Sequence, residues 1–309
     1  MRSCDVYYYG LAVKMNIDKI TAILARFGFG EKTEIDLPCE ANGVSPSREW
    51  KRKKFGQADK KQIAAGTWYT GDTVSVGIGQ GYFTVTPMQL AYATAILANR
   101  GKGFKPHLLY ATQEATQGEQ QKITPVLKTD ISDIKPEYWK AITEGMVGVV
   151  HQKAGTASNV AKFTQGKFKL AGKTGTAQLF KVGQTEEYEE EDVPRHLRDH
   201  ALFTSFAPAE NPKIVVTVLV DHGGHGSTGA APIAAKLVKA YLDLLNADRG
   251  IQSTPVKQEQ PKVKSATLEN SQVKPKLKPA APPEPAVKSK LKSKYDHTDE
   301  SSENESDAY

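Results

Sequence analysis

Three β-strand patterns follow one another late in this chain, over residues 168–181, 200–207 and 213–221. The second pattern alternates apolar and polar residues, and the third is rich in valine, as half-buried strands usually are. A helical pattern from about Pro232 to Leu245 closes the series. Because a sheet must bury its apolar face against another layer, the sequence predicts an α+β fold in which helices flank an antiparallel sheet.

Composition divides the chain into two parts close to residue 248. Apolar residues recur periodically over residues 1–248, whereas residues 249–309 are mainly Lys, Pro, Gln, Glu and Ser. Such a segment cannot bury enough apolar surface to offset the entropy of ordering it. We therefore expect a folded part, 1–248, and a disordered tail, 249–309, which is basic as far as Lys294 and acidic over Asp296–Asp307.

The bulk properties exclude few classes of protein. The formal net charge of +6 over 309 residues is mild, and it is a weak argument for an anionic partner such as a membrane surface or an acidic glycan. No arginine-rich, aromatic-interleaved stripe is present, so we expect no nucleic-acid partner. The dense basic run Lys51–Lys54 is interpreted as a solvated face, and no apolar run approaches the roughly 20 residues of a membrane helix.

Helical patterns precede the strands. They predict helices over residues 4–14, 17–27, 47–54, 86–98 and 136–150. Gly28 and Gly30 end the second of these, and Thr86 and Pro87 supply an N-cap and a first-turn proline to the fourth. The rest of residues 31–75 is predicted to be loop.

The strongest candidate for chemistry is Lys173-Thr174-Gly175-Thr176. On an edge strand beside a cleft, Lys173 supplies a fixed positive charge for a substrate carboxylate, and Thr174 adds a hydroxyl donor. Gly175 allows a substrate backbone to approach closely, and the Thr176 N–H can point at a developing oxyanion. The alternative is an ordinary strand lysine. A phosphate-binding loop is set aside, because Lys167 occupies the position of its first glycine.

Ser3-Cys4-Asp5 is the second candidate group. Ser3 and Asp5 either take part in catalysis or cap the helix that begins there, and the pattern favours neither. An ionised aspartate accepts hydrogen bonds only, which suits a donor on a substrate or on a lysine. Cys4 is interpreted as a small buried residue, and together with Cys39 it does not make a disulfide framework.

Two further clusters invite other interpretations. Residues 77–81 form a glycine cluster without the spacing of a dinucleotide loop, so we interpret it as a bend that leads into the capped helix. Asp221, His222 and His225 could ligate a metal, but a flexible turn is the preferred interpretation. His200 is expected to be structural or to line a cleft. We expect no cofactor and no resident metal.

Eight short motifs follow one another along residues 2–246. They are Ser3-Cys4-Asp5, Ile35-Asp36-Leu37-Pro38, Ser47-Arg48-Glu49-Trp50-Lys51, Gly71-Asp72-Thr73, Gly77-Ile78-Gly79-Gln80-Gly81 with Thr86-Pro87-Met88-Gln89, Lys173-Thr174-Gly175-Thr176-Ala177-Gln178, Arg198-Asp199-His200 and Phe206-Ala207-Pro208. In this order they resemble the transpeptidase domain of class B penicillin-binding proteins, and most closely the elongation-specific subfamily, penicillin-binding protein 2.

The resemblance implies a peptidoglycan D,D-transpeptidase with a sheet of about five strands. In that family a serine attacks the D-Ala-D-Ala carbonyl of a stem peptide, D-Ala leaves, and an amine of a second strand resolves the acyl-enzyme into a crosslink. β-Lactams acylate the same serine. The resemblance also implies a membrane glycan polymerase of the elongation machinery as partner, and a location at the periplasmic face of the bacterial inner membrane.

The family's site roles fall on residues of this sequence. Ser3 corresponds to the proton relay and Asp5 to a substrate contact. Lys173 and Thr174 correspond to the residues that bind the terminal carboxylate, whereas Gly175 and Thr176 correspond to the strand contact and the oxyanion hole. The catalytic residues implied are thus Ser3, Lys173 and Thr176.

The family's nucleophile belongs to a Ser-x-x-Lys motif that should precede Ser3. Ser271–Lys274 and Ser289–Lys292 match this pattern, but both lie in the tail and are interpreted as chance matches. We therefore expect an N-terminally truncated transpeptidase that is inactive alone. A non-catalytic module that binds stem peptides or an elongation partner is the alternative, and a nucleotide-binding protein is a distant third.

Overall fold

The computed structural model describes residues 2–56, 64–113, 118–179 and 193–248. These residues belong to the first of two compact units, which spans Met1–Glu259. The predicted tail, 249–309, lies outside the described residues, so its disorder stays a prediction.

Helices and strands alternate along the chain. The helices are α1 (Asp5–Arg26), α2 (Arg48–Phe55), α3 (Thr70–Gly77), α4 (Pro87–Ala98), α5 (Pro136–His151), α6 (Gly226–Gly229) and α7 (Ala231–Asp248), with 3₁₀ turns at Ser158–Thr164 and Arg195–Leu197. The strands are β1 (Lys102–Phe104), β2 (Ala111–Thr112), β3 (Gln121–Lys122), β4 (Leu127–Asp130), β5 (Ala171–Ala177), β6 (His200–Ala207) and β7 (Ile214–Val220).

The last three strands form the antiparallel sheet that the sequence predicts, in the order β5-β6-β7. Lys173 pairs with Thr204, which in turn pairs with Thr217. The α+β fold is therefore confirmed. Within the described residues this sheet has three strands, fewer than the five or so that the resemblance implies. Strand β5 ends at Ala177, and residues 180 and 181 of the longer predicted strand lie outside the described residues.

Alternation along β6 distributes its side chains between two helical layers. Ala201 and Phe203 pack in the cluster that includes α7, whereas Phe206 packs in a second cluster with Ala98 of α4. Phe203 and Phe206 are both fully buried, and burial of such a ring contributes roughly 1.5–3 kcal/mol. By the same alternation, Lys173 and Thr204 lie on the α4 face of the sheet.

The predicted division of residues 4–27 into two helices is confirmed within α1. Asn16 has non-helical backbone angles, φ 62° and ψ 166°, and its side chain accepts a hydrogen bond from the N–H of Lys19. Asn16 therefore caps the second half of α1 in the way that asparagine caps helices generally. The helix ends at Arg26 with Phe27 as its C-cap, one residue short of the predicted end and just before Gly28.

The prediction that most of residues 31–75 form a loop is wrong from Thr70 onward, where α3 begins. A side-chain carboxylate oxygen of Asp72 accepts the N–H of Tyr69 and completes a capping box. Helix α3 packs against α1, and a Cβ on Gly77 would lie 2.4 Å from the Cβ of Ala12. Short helices are stabilised mainly by such tertiary packing, which local sequence patterns do not reveal.

The interpretation of Lys51–Lys54 as a solvated face is wrong for its first residue. Only 4% of the Lys51 side chain is exposed, and its Nζ lies 2.6 Å from Oδ2 of Asp72. The rings of Trp68, Tyr69 and Tyr82 lie within 6 Å of the same ammonium group, at 5.1–5.9 Å. The three residues that follow Lys51 are exposed. Helix α2 therefore turns one lysine inward and leaves the rest in solvent.

His151, the last residue of α5, joins that helix to the start of the sheet. Its Nε2 accepts the N–H of Leu170 at 3.0 Å. His151 is exposed as a whole residue, but desolvation of its ring lowers its pKa below the ordinary value of 6.5, and the nearby charge of Lys169 lowers it further, against the opposing effect of Glu210. The unfolded chain therefore takes up this proton at a higher pH than the folded chain does.

We expect the contribution of His151 to the free energy of unfolding to be complete above pH 6.5 and to be lost as the pH falls through its lowered pKa. His151→Gln removes the titration and should flatten the acid side of a Tm profile recorded between about pH 5 and 8. The matched control is His196→Gln, because His196 lies in the separate 3₁₀ turn Arg195–Leu197, whereas His151 accepts the Leu170 N–H. An equal fall of Tm toward acid pH in wild type and in His151→Gln would contradict this explanation.

Candidate active site

A cavity of about 700 Å³ lies between the start of α1, helices α4 and α5, and strand β5. Its polar end is lined by Ser3, Asp5 and Lys173. The remaining wall is mainly apolar, and includes Phe27, Phe29, Leu90, Ala93, Leu97, Ile142, Met146 and Val149. A larger cavity of about 880 Å³ lies at the opposite face of α5 and contains none of the predicted site residues.

The structure brings together Ser3 and Lys173, which are 170 residues apart in sequence. The Nζ of Lys173 donates to Oγ of Ser3 at 2.9 Å and to the carbonyl oxygen of Thr174 at 2.6 Å. Ser3 has a φ of 48°, in the left-handed region, which costs a non-glycine residue on the order of 1–3 kcal/mol. The fold therefore holds Ser3 in an uncommon conformation at the point where its hydroxyl meets the lysine.

The alternative role of Ser3 as a helix cap is not supported. The N-cap of α1 is Cys4, and no side chain makes a capping hydrogen bond there. Asp5 lies in the first turn of α1, where a carboxylate also interacts favourably with the helix dipole. The prediction that Cys4 is buried is wrong, because Cys4 is an exposed free cysteine, as is Cys39. Its position at the cap leaves it at the protein surface.

Lys173 is exposed as a whole residue, but desolvation of its ammonium group lowers its pKa from the ordinary value of 10.5, and the carboxylate of Asp5 partly opposes this shift. A lysine with a lowered pKa releases its proton more readily than one with the ordinary pKa, and the Ser3 hydroxyl is within hydrogen-bond reach. The protonated form can hold an anion at the polar end of the cavity. The arrangement is thus suited to binding a carboxylate and to moving a proton over a short distance.

The other predicted strand residues are adjacent to the cavity and do not line it. The hydroxyl of Thr174 lies 3.2 Å from that of Thr156, on the face of β5 opposite to Lys173. Gly175 pairs with Leu202, and Thr176 pairs with Ala201. The roles assigned to Thr174, Gly175 and Thr176 stay predictions.

Three hydrogen bonds at the site were not predicted from the sequence. Nε2 of Gln80 donates to the carbonyl oxygen of Thr176 at 2.9 Å, so the bend of residues 77–81 reaches the candidate strand. The hydroxyl of Thr204, which lines the cavity, lies 2.8 Å from the hydroxyls of both Thr94 and Thr217. Gln80 and Thr176 are 96 residues apart, and no spacing pattern could have joined them.

A third Ser-x-x-Lys string, Ser132–Lys135, was also missed. Ser132 lies in the turn before α5, where its hydroxyl donates to Oδ1 of Asp130 at 2.5 Å. Ser132 lines the larger cavity and is absent from the lining of the one that holds Lys173. The two strings in residues 249–309 lie outside the described residues.

The histidine-containing turn ties the ends of two strands together. His200 Nδ1 lies 3.5 Å from Oδ1 of Asp221 and accepts the N–H of His222 at 3.1 Å. Across residues 2–56, 64–113, 118–179 and 193–248, no group of three His, Cys, Asp or Glu side chains is arranged to hold a metal ion. The same ranges contain no helix with the length and apolarity that a membrane span requires.

Residues 1–239 match the penicillin-binding protein transpeptidase domain. The chain belongs to this family. The chain is 41% identical over 241 residues to the peptidoglycan D,D-transpeptidase MrdA of Haemophilus influenzae. The matched region covers 78% of this chain and 35% of the relative. The chain is 38% identical over 264 residues to MrdA of Escherichia coli K12, and this match covers 85% of this chain and 38% of the relative.

Solved structures of penicillin-binding protein 2 share the fold. The structure of PBP2 from Pseudomonas aeruginosa in complex with WCK 5153 is 42% identical, with a TM-score of 0.62 over 78% of this chain and 47% of that one. The complex of PBP2 and MreC from Helicobacter pylori is 33% identical, with a TM-score of 0.62 over 79% of this chain and 39% of that one. The chain itself spans little more than a third of the length of the curated relatives that it matches.

Proposed function

We propose that this chain forms the part of a peptidoglycan D,D-transpeptidase, of the elongation type, that binds the acyl donor. The observation that carries the proposal is the 2.9 Å contact between Lys173 Nζ and Ser3 Oγ at the polar end of one cavity, with Asp5 on the same wall. The 38–41% identity to MrdA supports the same activity.

The substrate is a stem peptide that ends in D-Ala-D-Ala. Protonated Lys173 binds its terminal carboxylate, and the peptide runs along the free edge of β5 as an added strand. When a serine oxygen bonds to the carbonyl carbon, the Thr176 N–H stabilises the oxyanion. The C–N bond to D-Ala then breaks, and Ser3 passes a proton to the leaving nitrogen. An amine of a second peptide later displaces the serine and forms the crosslink, and β-lactams acylate the same serine.

We further propose that the 309 residues do not form an acyl-enzyme by themselves. Among the three Ser-x-x-Lys strings, Ser132–Lys135 lies away from Lys173, and the other two belong to the segment that is predicted to be disordered. The attacking serine then comes from a Ser-x-x-Lys element outside residues 1–309.

Partners and location follow from the same assignment. The protein acts at the periplasmic face of the bacterial inner membrane and works with a membrane glycan polymerase of the elongation machinery. Similarity to MrdA supports this proposal, and the solved complex of Helicobacter pylori PBP2 with MreC supports a partner from the elongation machinery.

Labelling with a fluorescent penicillin tests the proposal. The purified 309-residue chain is expected to give no covalent band. The DNA upstream of Met1 is then read for an in-frame Ser-x-x-Lys and a membrane helix, and the product extended to include them is expected to label. A covalent band on the 309-residue chain would contradict our assignment of the nucleophile.

A non-catalytic binding module is the second candidate, because Lys173 and Ser3 can hold a carboxylate without any nucleophile. The two candidates differ in the extended product. Affinity for D-Ala-D-Ala peptides with no labelling of the extended product would favour the binding module.

A further inference from the structure

Along the outer edge of β5, backbone carbonyl groups point away from β6 and are not hydrogen-bonded to it. Strand β5 is at the edge of the described sheet, and backbone groups of alternate residues on such a strand face outward. Side chains occupy two of these carbonyl oxygens. Lys173 Nζ donates to that of Thr174, and Gln80 Nε2 donates to that of Thr176 at 2.9 Å.

The backbone of Gln80 is anchored to the end of α3. Its backbone N–H donates to the carbonyl oxygen of Ser75 at 3.0 Å, at the end of α3. Gly79 and Gly81 on either side have φ values of 79° and 71°, which a residue with a side chain rarely adopts. These two glycines set the direction in which the Gln80 side chain leaves the bend.

The bend is also tied to the helix that begins beside Ser3. Gly77 lies so close to Ala12 that a Cβ on Gly77 would be 2.4 Å from the Cβ of Ala12. Helices α1 and α3 therefore pack closely as one layer, and Gln80 is a hydrogen-bonded link from this layer to β5. The Ser3–Lys173 contact is a second link of this kind.

We propose that Gln80 is a positioning residue for the acyl donor. Its carboxamide fixes the separation between the α1–α3 layer and the end of β5, and so fixes the direction of the Thr176 N–H. The proposal rests on the proposed function, in which Thr176 meets the donor peptide. A carbonyl oxygen has two lone pairs, so a peptide N–H can share the Thr176 oxygen with Gln80.

A competing interpretation of this geometry predicts the opposite effect. If the Gln80 carboxamide competed with the peptide for the Thr176 carbonyl, removal of the carboxamide would strengthen binding. The two possibilities predict changes of opposite sign, so a single titration separates them.

The experiment is an NMR titration of the ¹⁵N-labelled 309-residue chain with diacetyl-L-Lys-D-Ala-D-Ala. Gln80→Met keeps the length of the side chain and removes the donor, and we expect about tenfold weaker binding with a shifted Thr176 amide resonance. Gln80→Lys keeps a donor and should retain most of the affinity. Gln121→Met is the matched control, because Gln121 is exposed on β3, and it should bind as wild type does.

The outcomes separate the inference from the function on which it rests. Unchanged or tighter binding by Gln80→Met, with binding by wild type intact, would overturn the positioning role alone. No binding by wild type would overturn both the proposed function and this inference. If Gln80→Met has a lowered Tm, Gln80→Asn, whose amide is too short to reach Thr176, must show the same weakened binding for the inference to stand.

Discussion

Asp72→Asn is expected to lower the free energy of unfolding by about 3–5 kcal/mol, the usual cost of leaving one charge of a buried ion pair without its partner. The asparagine keeps an oxygen for the Tyr69 N–H, so the helix cap is retained. The ammonium of Lys51 then stays in a site where 4% of its side chain is exposed, and loses the carboxylate 2.6 Å away. The aromatic rings around it offset a part of this cost.

Chemical denaturation of three variants checks this expectation. The double variant Lys51→Met/Asp72→Asn removes both charges and should recover most of the lost stability. Glu49→Gln is the matched control, because Glu49 pairs with Lys53 on the exposed face of the same helix, with 63% and 74% of the two side chains exposed. It should change the free energy of unfolding by less than about 0.5 kcal/mol. A loss of similar size in Glu49→Gln and Asp72→Asn would argue against a special role for the buried pair.

This ion pair also supports the candidate site. Asp72 lies in α3, and α3 leads directly into the bend that carries Gln80. If α3 loosens in Asp72→Asn, the hydrogen bond from Gln80 to Thr176 is expected to weaken as well. The Thr176 amide resonance of this variant is the measurement that links the two regions.

Lys173→Met is expected to weaken the binding of diacetyl-L-Lys-D-Ala-D-Ala by about 10- to 100-fold, because the cation that faces the peptide carboxylate is removed. Lys173→Arg keeps the charge and should retain more of the affinity than methionine does. The matched control is Lys167→Met, because Lys167 is exposed like Lys173 but is absent from the cavity lining. If Lys173→Met and wild type bound the peptide with equal affinity, the assignment of Lys173 to the peptide carboxylate would be contradicted.

The same titration has an expected pH dependence. Only protonated Lys173 attracts the carboxylate, and its pKa is lowered below 10.5 by burial. Affinity should therefore fall as the pH rises through this lowered pKa, at a lower pH than a lysine with the ordinary pKa would give. Lys173→Arg should not show this fall, since arginine stays charged throughout this range. A decline that is the same in both proteins would assign the titration to another group.

Much of the fold could be predicted from periodicity and end signals. Thr86 and Pro87 begin α4 as predicted, and Asn16 divides α1 where the helical pattern breaks. These features depend on neighbours within a few residues, which is the range that sequence patterns describe. Helix α3 and the inward-facing Lys51 could not be predicted, because both depend on contacts between segments that are far apart in sequence.

The sequence by itself determined the sheet with its covering helices and the position of Lys173-Thr174-Gly175-Thr176 on its first strand, since strand and helix periods and short motifs are local properties. The tertiary structure alone decided that Ser3 meets Lys173, that Gln80 reaches Thr176 and that Lys51 is buried against Asp72. Each of these contacts joins residues at least 21 positions apart in sequence. Their formation depends on how whole helices pack on the sheet, and not on the residues next to them in the chain.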